Sequence, residues 1–255
     1  MVQRAPFVVD PRDPRAPTQE QWDTLTEPER AAVVAMLPNE VSIEEMAPEG
    51  DRHRTGKEGP LDALGRFFER LGRKVYLSSE LAVYYPGARK IVPDVLAVLD
   101  VDPRERTKWV VSSEGKGLDF VLEVHVEGDK AKDHERNVAL YASLGIPEYA
   151  ILDRGRARLK MYRLPSANAR VYDPVVPQAG RYPSRVLGLD LALEDDHLRF
   201  FHGTVALPEA DDMIRELGKM VDDLVAKRET AEQRADDAER RLAEALAEIE
   251  RLKSR

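Results

Sequence analysis

Apolar residues change their spacing along the chain, and each spacing predicts a different kind of element. Residues 61–71 carry them every three to four positions, which is typical of an amphipathic helix packed on a sheet. Short apolar runs with the length of strands follow. They read KVYLSSELAVYYP, KIVPDVLAVLDV, LDFVLEVHV, EYAILDRG and RLKMYRLP, with ARVYDPVVP and RVLGLDLAL as weaker candidates. One long helix, about residues 129–144, interrupts these runs, so the pattern predicts an α/β domain with a mixed sheet.

The first 60 residues lack this periodicity. Residues 1–17 are rich in Pro, Arg and Asp and are expected to form a loose arm. The segments TQEQ and TEPE, which begin at Thr18 and Thr26, have the spacing of capping boxes and predict two short helices. Residues 38–60 are mostly polar, and we expect a loop there.

A seven-residue repeat occupies the end of the chain. Apolar or small residues recur in two series, interrupted only by Arg228, at positions 214, 221, 235, 242 and 249 and at positions 217, 224, 231, 238, 245 and 252. Such a repeat predicts a left-handed coiled coil, with a single solvated helix as the alternative. Lys227 with Glu232 has the charge pattern of a parallel dimer, so we expect a homodimer formed through residues 213–253.

Composition excludes several kinds of site and compartment. The 255 residues contain no cysteine, which removes disulfides and thiolate zinc sites. No long apolar run or signal-like segment indicates a membrane span or export, so we expect a cytoplasmic protein with no membrane partner. The net charge of −8 argues mildly against a general nucleic-acid coat and requires that any affinity for phosphate be local.

Two carboxylates interrupt apolar strands. Asp94 follows Pro93 in KIVPDVLAVLDV, and Glu123 lies in FVLEVHV, where alternation puts it on the same face as His125. Burial and mutual repulsion would keep two such carboxylates from both being ionised unless a cation lay between them. Oxygen ligands favour a hard ion such as Mg²⁺ or Mn²⁺. The pair therefore predicts a divalent-metal site.

Four segments of the chain form a recognisable set of motifs: PDVLAVLD, LDFVLEV, YASLGIPEYAILD and MYRL. Together they resemble the Uma-type restriction endonuclease family, a branch of the PD-(D/E)XK nuclease superfamily, from about residue 55 to residue 195. The resemblance implies a mixed sheet flanked by helices and a Mg²⁺-dependent endonuclease acting on DNA, with RNA left open. It also implies that Asp94 and Glu123 bind the metal. We expect an arm with short helices over 1–54, the nuclease-like domain over 55–204 and the coiled coil over 205–255.

The sequence departs from the family at one position. Family members carry a Lys four residues before the tyrosine that corresponds to Tyr141, but this chain has Asn137 there. His125 and Lys130 are the substitutes that strand and helix spacing nominate for a catalytic role. Glu80 is a further candidate metal ligand, although a solvent-facing side chain is the alternative. Without a cationic group the domain would be a catalytically degenerate module that binds nucleic acid or protein.

Overall fold

The structure is a computed structural model, and it describes residues 7–40, 50–126 and 131–254. It divides into two compact units, Met1–Leu207 and Pro208–Arg255. The helices are α1 (Gln19–Asp23), α2 (Glu27–Met36), α3 (Asp51–Leu71), α4 (Val111–Glu114), α5 (Ala131–Ser143) and α6 (Ala210–Lys253). The strands are β1 (Val75–Ser78), β2 (Val83–Tyr84), β3 (Val95–Leu99), β4 (Trp109–Val110), β5 (Phe120–His125), β6 (Glu148–Asp153), β7 (Arg158–Arg163), β8 (Asp173–Pro174), β9 (Tyr182–Ser184), β10 (Leu189–Glu194), β11 (His197–His202) and β12 (Val205–Ala206).

A six-stranded mixed sheet forms the centre of the first unit. Its strand order is β1-β3-β5-β6-β7-β8, and β5 and β6 are parallel while the other neighbours are antiparallel. A parallel pair needs a crossover connection, and α5 lies in the connection between β5 and β6. The predicted α/β fold with a mixed sheet flanked by helices is confirmed.

Apolar side chains cover both faces of this sheet. On one face, Leu64 and Phe68 of α3 and Leu191 and Phe200 of a second, four-stranded sheet pack against β3, β5 and β6. On the other face, Tyr141 and other apolar residues of the α5 region pack against the same strands. Burial on both faces explains why β3 and β5 read as nearly continuous apolar runs.

The N-terminal region is partly as predicted. Each capping box forms: the Thr18 N–H donates to the Gln21 side chain over 3.0 Å, and the Thr26 N–H donates to Glu29 over 2.7 Å. The loose arm, however, is wrong for the part that the structure describes. Ala16 is buried in a small core with Tyr84, because short apolar residues between the charged ones reach the edge of the domain.

The predicted loop over residues 38–60 is wrong from residue 51 onward, because α3 begins at Asp51. Residues 41–49 lie outside the described residues. Gly56, Gly59 and Pro60 have poor helix propensity, and the buried side chains of this first half of α3 include two polar ones. The apolar periodicity therefore becomes visible only at Leu61, in the second half of the helix.

The second unit contains the 44-residue helix α6, about 66 Å long at the standard helical rise. Its large apolar side chains, including Ile214, Leu217 and Leu224, are exposed in the single chain. Arg228, which interrupts the repeat, donates a 2.7 Å hydrogen bond to Glu232 one turn later. Within the described part of the chain, every helix is too short or too polar to cross a bilayer.

Candidate metal centre

Pairing between β3 and β5 brings the two predicted carboxylates to the same end of the sheet. Val95 lies opposite Leu122, so Asp94, immediately before β3, lies beside the end of β5. The Val124 N–H donates a 2.7 Å hydrogen bond to Oδ2 of Asp94. Glu123 precedes this amide and is buried. The Asp94 side chain thus accepts a backbone hydrogen bond from β5 at the point where β3 begins.

Glu80 reaches the same place from the segment after β1. Its N–H donates a 3.0 Å hydrogen bond to the carbonyl of Pro93, one residue before Asp94. Its backbone has a φ of 51°, in the left-handed region that costs a non-glycine residue free energy. Glu80 lies between β1 and β2, and its side chain is only 22% exposed, so the alternative of a solvent-facing strand residue does not hold.

Helix α3 contributes two polar side chains from its first turns. His53 and Lys57 are four residues apart, so they lie on one face of the helix, and both are buried. His53 Nε2 lies 3.3 Å from Oδ2 of Asp94, and Lys57 Nζ donates a 2.6 Å hydrogen bond to Oε1 of Glu80. One ligand atom each from His53, Glu80 and Asp94 can be chosen so that all lie within 4.8 Å of one another. We call these three residues the ligand group.

Two features hold the start of α3 against the sheet. A Cβ atom at Gly56 would lie 2.7 Å from Cγ1 of Val124, so the helix approaches β5 closely because this position has no side chain. The buried Arg154, which follows β6, donates a 2.7 Å hydrogen bond to the Thr55 hydroxyl and forms a 2.9 Å ion pair with Asp196. The ligand group therefore rests on two strand connections, which carry Glu80 and Asp94, and on a helix that is held against the sheet.

The pKa values of the two strand carboxylates are shifted in opposite directions. Burial raises the pKa of Glu123 well above its ordinary value, and the charge of Asp94 raises it further. Burial also acts to raise the pKa of Asp94, but hydrogen bonds from His53 and the Val124 N–H outweigh it, and that pKa is lowered. Glu123 therefore binds a proton more tightly than Asp94 does. The Tyr141 hydroxyl, on α5, donates a hydrogen bond to Oε1 of Glu123.

Comparison with known proteins identifies the family. The family model described as "Uma2: Putative restriction endonuclease" matches residues 28–194, well over half of the chain. The chain belongs to the Uma2 family. The resemblance inferred from the sequence motifs is thereby confirmed.

Two further comparisons add little to the Uma2 assignment. The chain is similar to a crystal structure described as "a putative nuclease belonging to DUF820 from Anabaena variabilis". The identity is 15%, the TM-score is 0.45, and the match covers 59% of this chain and 82% of the other. Among curated proteins, none matches the chain significantly.

The Uma2 domain brings some of the predicted site residues together and leaves others apart or outside the described residues. Asp94, Glu123 and Glu80 meet at one end of the sheet, although Glu123 is not a member of the ligand group. His125 is the last residue of β5, opposite Asp153 of β6, and is not a member of that group either. Lys130 lies outside the described residues.

Sequence reasoning missed His53 and Lys57. Both lie in the stretch of residues 38–60 that was interpreted as a loop. A signal was present, since the buried face of α3 continues backwards from its apolar half at helical spacing. The positions are His53, Lys57, Pro60, Leu64 and Phe68.

The ligand group offers the types of donor atom that divalent cations bind. It offers one imidazole nitrogen and two carboxylates, a set that suits Mn²⁺ and tolerates Mg²⁺. Nε2 of His53 faces Asp94, whereas Nδ1 is buried without a hydrogen-bond partner among the described residues, so a cation at Nε2 would require the tautomer that carries its proton on Nδ1. The residues present therefore fit a metal ion.

Proposed function

We propose that this Uma2 chain is a divalent-metal-dependent endonuclease that hydrolyses phosphodiester bonds in DNA. The observation that carries the proposal is the ligand group of His53, Glu80 and Asp94, beside the buried Glu123, at one end of the central sheet. Placing three such side chains together, one of them on a strained backbone, costs stability that folding alone does not require. A site for a cation explains that cost.

Each residue has a distinct part in the proposed site. Asp94, Glu80 and His53 would hold the ion, which would polarise the phosphate and lower the pKa of water. Glu123 would be a further oxygen ligand, and the Tyr141 hydroxyl, which donates to its carboxylate, would keep it oriented. The Val124 N–H holds Asp94 in the same way.

The ion is proposed to be Mg²⁺ or Mn²⁺. Carboxylate oxygens suit both ions, whereas an imidazole ligand favours Mn²⁺ because Mg²⁺ binds nitrogen weakly. Activity with Mn²⁺ is therefore expected to equal or exceed activity with Mg²⁺ at the same concentration.

Dimerisation through α6 is part of the proposal. Of the eleven large apolar side chains that are exposed on α6, seven belong to the seven-residue repeat, at positions 214, 217, 221, 224, 242, 249 and 252. A second copy of the helix would cover them, and Lys227 would meet Glu232 of that copy in a parallel arrangement. A dimer would carry two metal sites, one for each strand of a duplex.

A nuclease site of this kind also needs a positively charged side chain near the phosphate, in addition to the metal ion. His125 and Lys130, nominated from spacing, remain proposals for this role. The amide of Asn137 cannot supply the charge, although it lies on α5 where relatives carry the lysine.

Cleavage of supercoiled plasmid DNA with Mg²⁺ or Mn²⁺ tests the proposed function. The wild type should nick or linearise the plasmid, chelation of the metal should stop it, and Asp94→Ala should lower the rate by about a hundredfold or more. The control is Glu69→Ala, which removes an exposed carboxylate from the same helix α3. Absence of cleavage by the wild type with either ion, at ionic strengths low enough for DNA binding, would favour the degenerate binding module instead.

A further inference from the structure

We propose that Lys57 of helix α3 supplies the positive charge that the family's α5 lysine would provide at the scissile phosphate. The proposal rests on the proposed nuclease function and names the residue that completes it. Helix α3 packs on the face of the sheet opposite to α5. The residue spacing in β5 and α5 therefore could not identify Lys57 as the source of this charge.

Position is the first observation. Lys57 is one helical turn after His53, and its Nζ lies 2.6 Å from Oε1 of Glu80. Glu80 belongs to the ligand group, so the ammonium touches a proposed metal ligand. The Lys57 ammonium is therefore next to the group that would hold the ion and, through it, the phosphate.

The second observation is the cost of keeping this lysine where it is. Lys57 is only 4% exposed, and a buried lysine is rare unless it is paired. A buried ion pair contributes little net stability compared with apolar residues of the same size. Here the partner, Glu80, also adopts a left-handed backbone. Two unfavourable features in direct contact indicate selection for the site's chemistry rather than for folding.

The third observation is that the lysine and the metal can share Glu80. A carboxylate has two oxygens, and the ammonium engages Oε1, which leaves Oε2 for a cation. Glu80 would then contact both the Lys57 ammonium and the cation, and would keep the distance between them constant. The short hydrogen bond also fixes the direction of the flexible lysine side chain before substrate binds.

The reaction in which Lys57 would act is hydrolysis by one water molecule. The water oxygen bonds to phosphorus and gives a proton to solvent. The bond from phosphorus to the departing sugar oxygen breaks, and that oxygen takes a proton from solvent. Lys57 keeps its proton throughout and stabilises the negative charge that builds on the non-bridging phosphate oxygens.

Lys57→Met in the full-length chain tests this role, because methionine keeps most of the apolar length without the charge. Two quantities are measured: the rate of plasmid cleavage in saturating Mn²⁺, and the dissociation constant for Mn²⁺ by titration calorimetry. Cleavage should fall about a hundredfold. Mn²⁺ should bind as tightly as in the wild type or more tightly, because the competing ammonium is gone. Lys74→Met, at an exposed lysine just before β1, is the matched control and should change neither quantity.

The two readouts separate the alternatives. Loss of cleavage together with weaker Mn²⁺ binding would mean that Lys57 only holds the ligand group in place, and this overturns the proposal. Cleavage within twofold of wild type by Lys57→Met would also overturn it, while leaving the nuclease function intact. A wild type that neither cuts DNA nor binds Mn²⁺ would contradict the nuclease function itself. Lys57→Arg, which restores the charge, should recover part of the lost rate if the full chain remains folded.

Discussion

The backbone N–H of Val124 donates a 2.7 Å hydrogen bond to the carboxylate of Asp94 across the junction of β3 and β5. This bond places an ionised carboxylate at the end of a sheet that is apolar on both faces. The side chain of the same Val124 packs against Gly56 of α3, and this contact sets the distance between the helix and β5. One residue of β5 thus positions both the carboxylate and the helix that bears His53 and Lys57.

The close approach at Gly56 gives a matched pair of substitutions. Gly56→Ala should lower the free energy of unfolding by about 1–3 kcal/mol, because the new Cβ would lie 2.7 Å from Val124 and the helix or the strand must shift. Gly59→Ala, in the same helix with no atom within 4 Å of the new Cβ, should be neutral or stabilise by up to about 1 kcal/mol. Chemical denaturation of both variants measures the difference. Equal effects would mean that α3 does not contact β5 as described.

Glu123 should give the metal-free protein a characteristic pH dependence. Its folded-state pKa is raised above the ordinary 4.5, so the folded protein binds more protons than the unfolded chain. The resulting stability is complete below about pH 4.5 and is lost as the pH rises through the folded-state pKa. Every tenfold increase in the proton affinity of this carboxylate on folding corresponds to about 1.4 kcal/mol of that stability.

Glu123→Gln removes this loss, because the amide imitates the protonated acid. In the presence of a chelator, the variant should melt above the wild type at neutral pH, and the gap should close as the pH approaches 4.5. Thermal melts between about pH 4.5 and pH 8 measure the gap. Glu69→Gln is the exposed control. A constant difference across this range would show that Glu123 is ionised throughout.

The repeat in α6 predicts an oligomeric state that two substitutions should abolish. Leu217→Asp with Leu224→Asp places charges at two exposed apolar positions of the repeat, and the chain should then sediment as a monomer at micromolar concentration. Ala226→Asp with Ala247→Asp adds the same charges outside the two apolar series and should leave the dimer intact. A wild type that sediments as a stable monomer at this concentration would contradict the dimer.

The features that the sequence predicted correctly are those that local sequence pattern determines. Asp94 and Glu123 were identifiable because a carboxylate in an apolar strand is costly wherever the strand lies in the fold. The mixed sheet followed from apolar runs and one crossover helix. His53 and Lys57 were hidden because Gly56, Gly59 and Pro60 surround them, and these residues argue against the helix in which the pair shares a face.

Other features could not be predicted from local sequence pattern. Glu80 lies in a left-handed backbone that depends on its hydrogen bond to the Pro93 carbonyl, a contact between two connections. The buried Ala16 likewise depends on an apolar surface supplied by a distant strand, Tyr84 among its residues. Contacts between segments far apart in sequence determine the positions of both residues. The local pattern therefore predicted a strand at Glu80 and a loose arm at Ala16.

Titration calorimetry with Mn²⁺ on the wild type, Asp94→Ala and His53→Ala is the most direct test of the central claim, that the ligand group binds a divalent cation. The wild type should bind one ion per chain, and at about a hundredfold excess over its dissociation constant Mn²⁺ should stabilise the fold by about 2.7 kcal/mol. Each variant should lose most of this binding, while Glu69→Ala keeps it. Unchanged Mn²⁺ binding by both Asp94→Ala and His53→Ala would contradict the account.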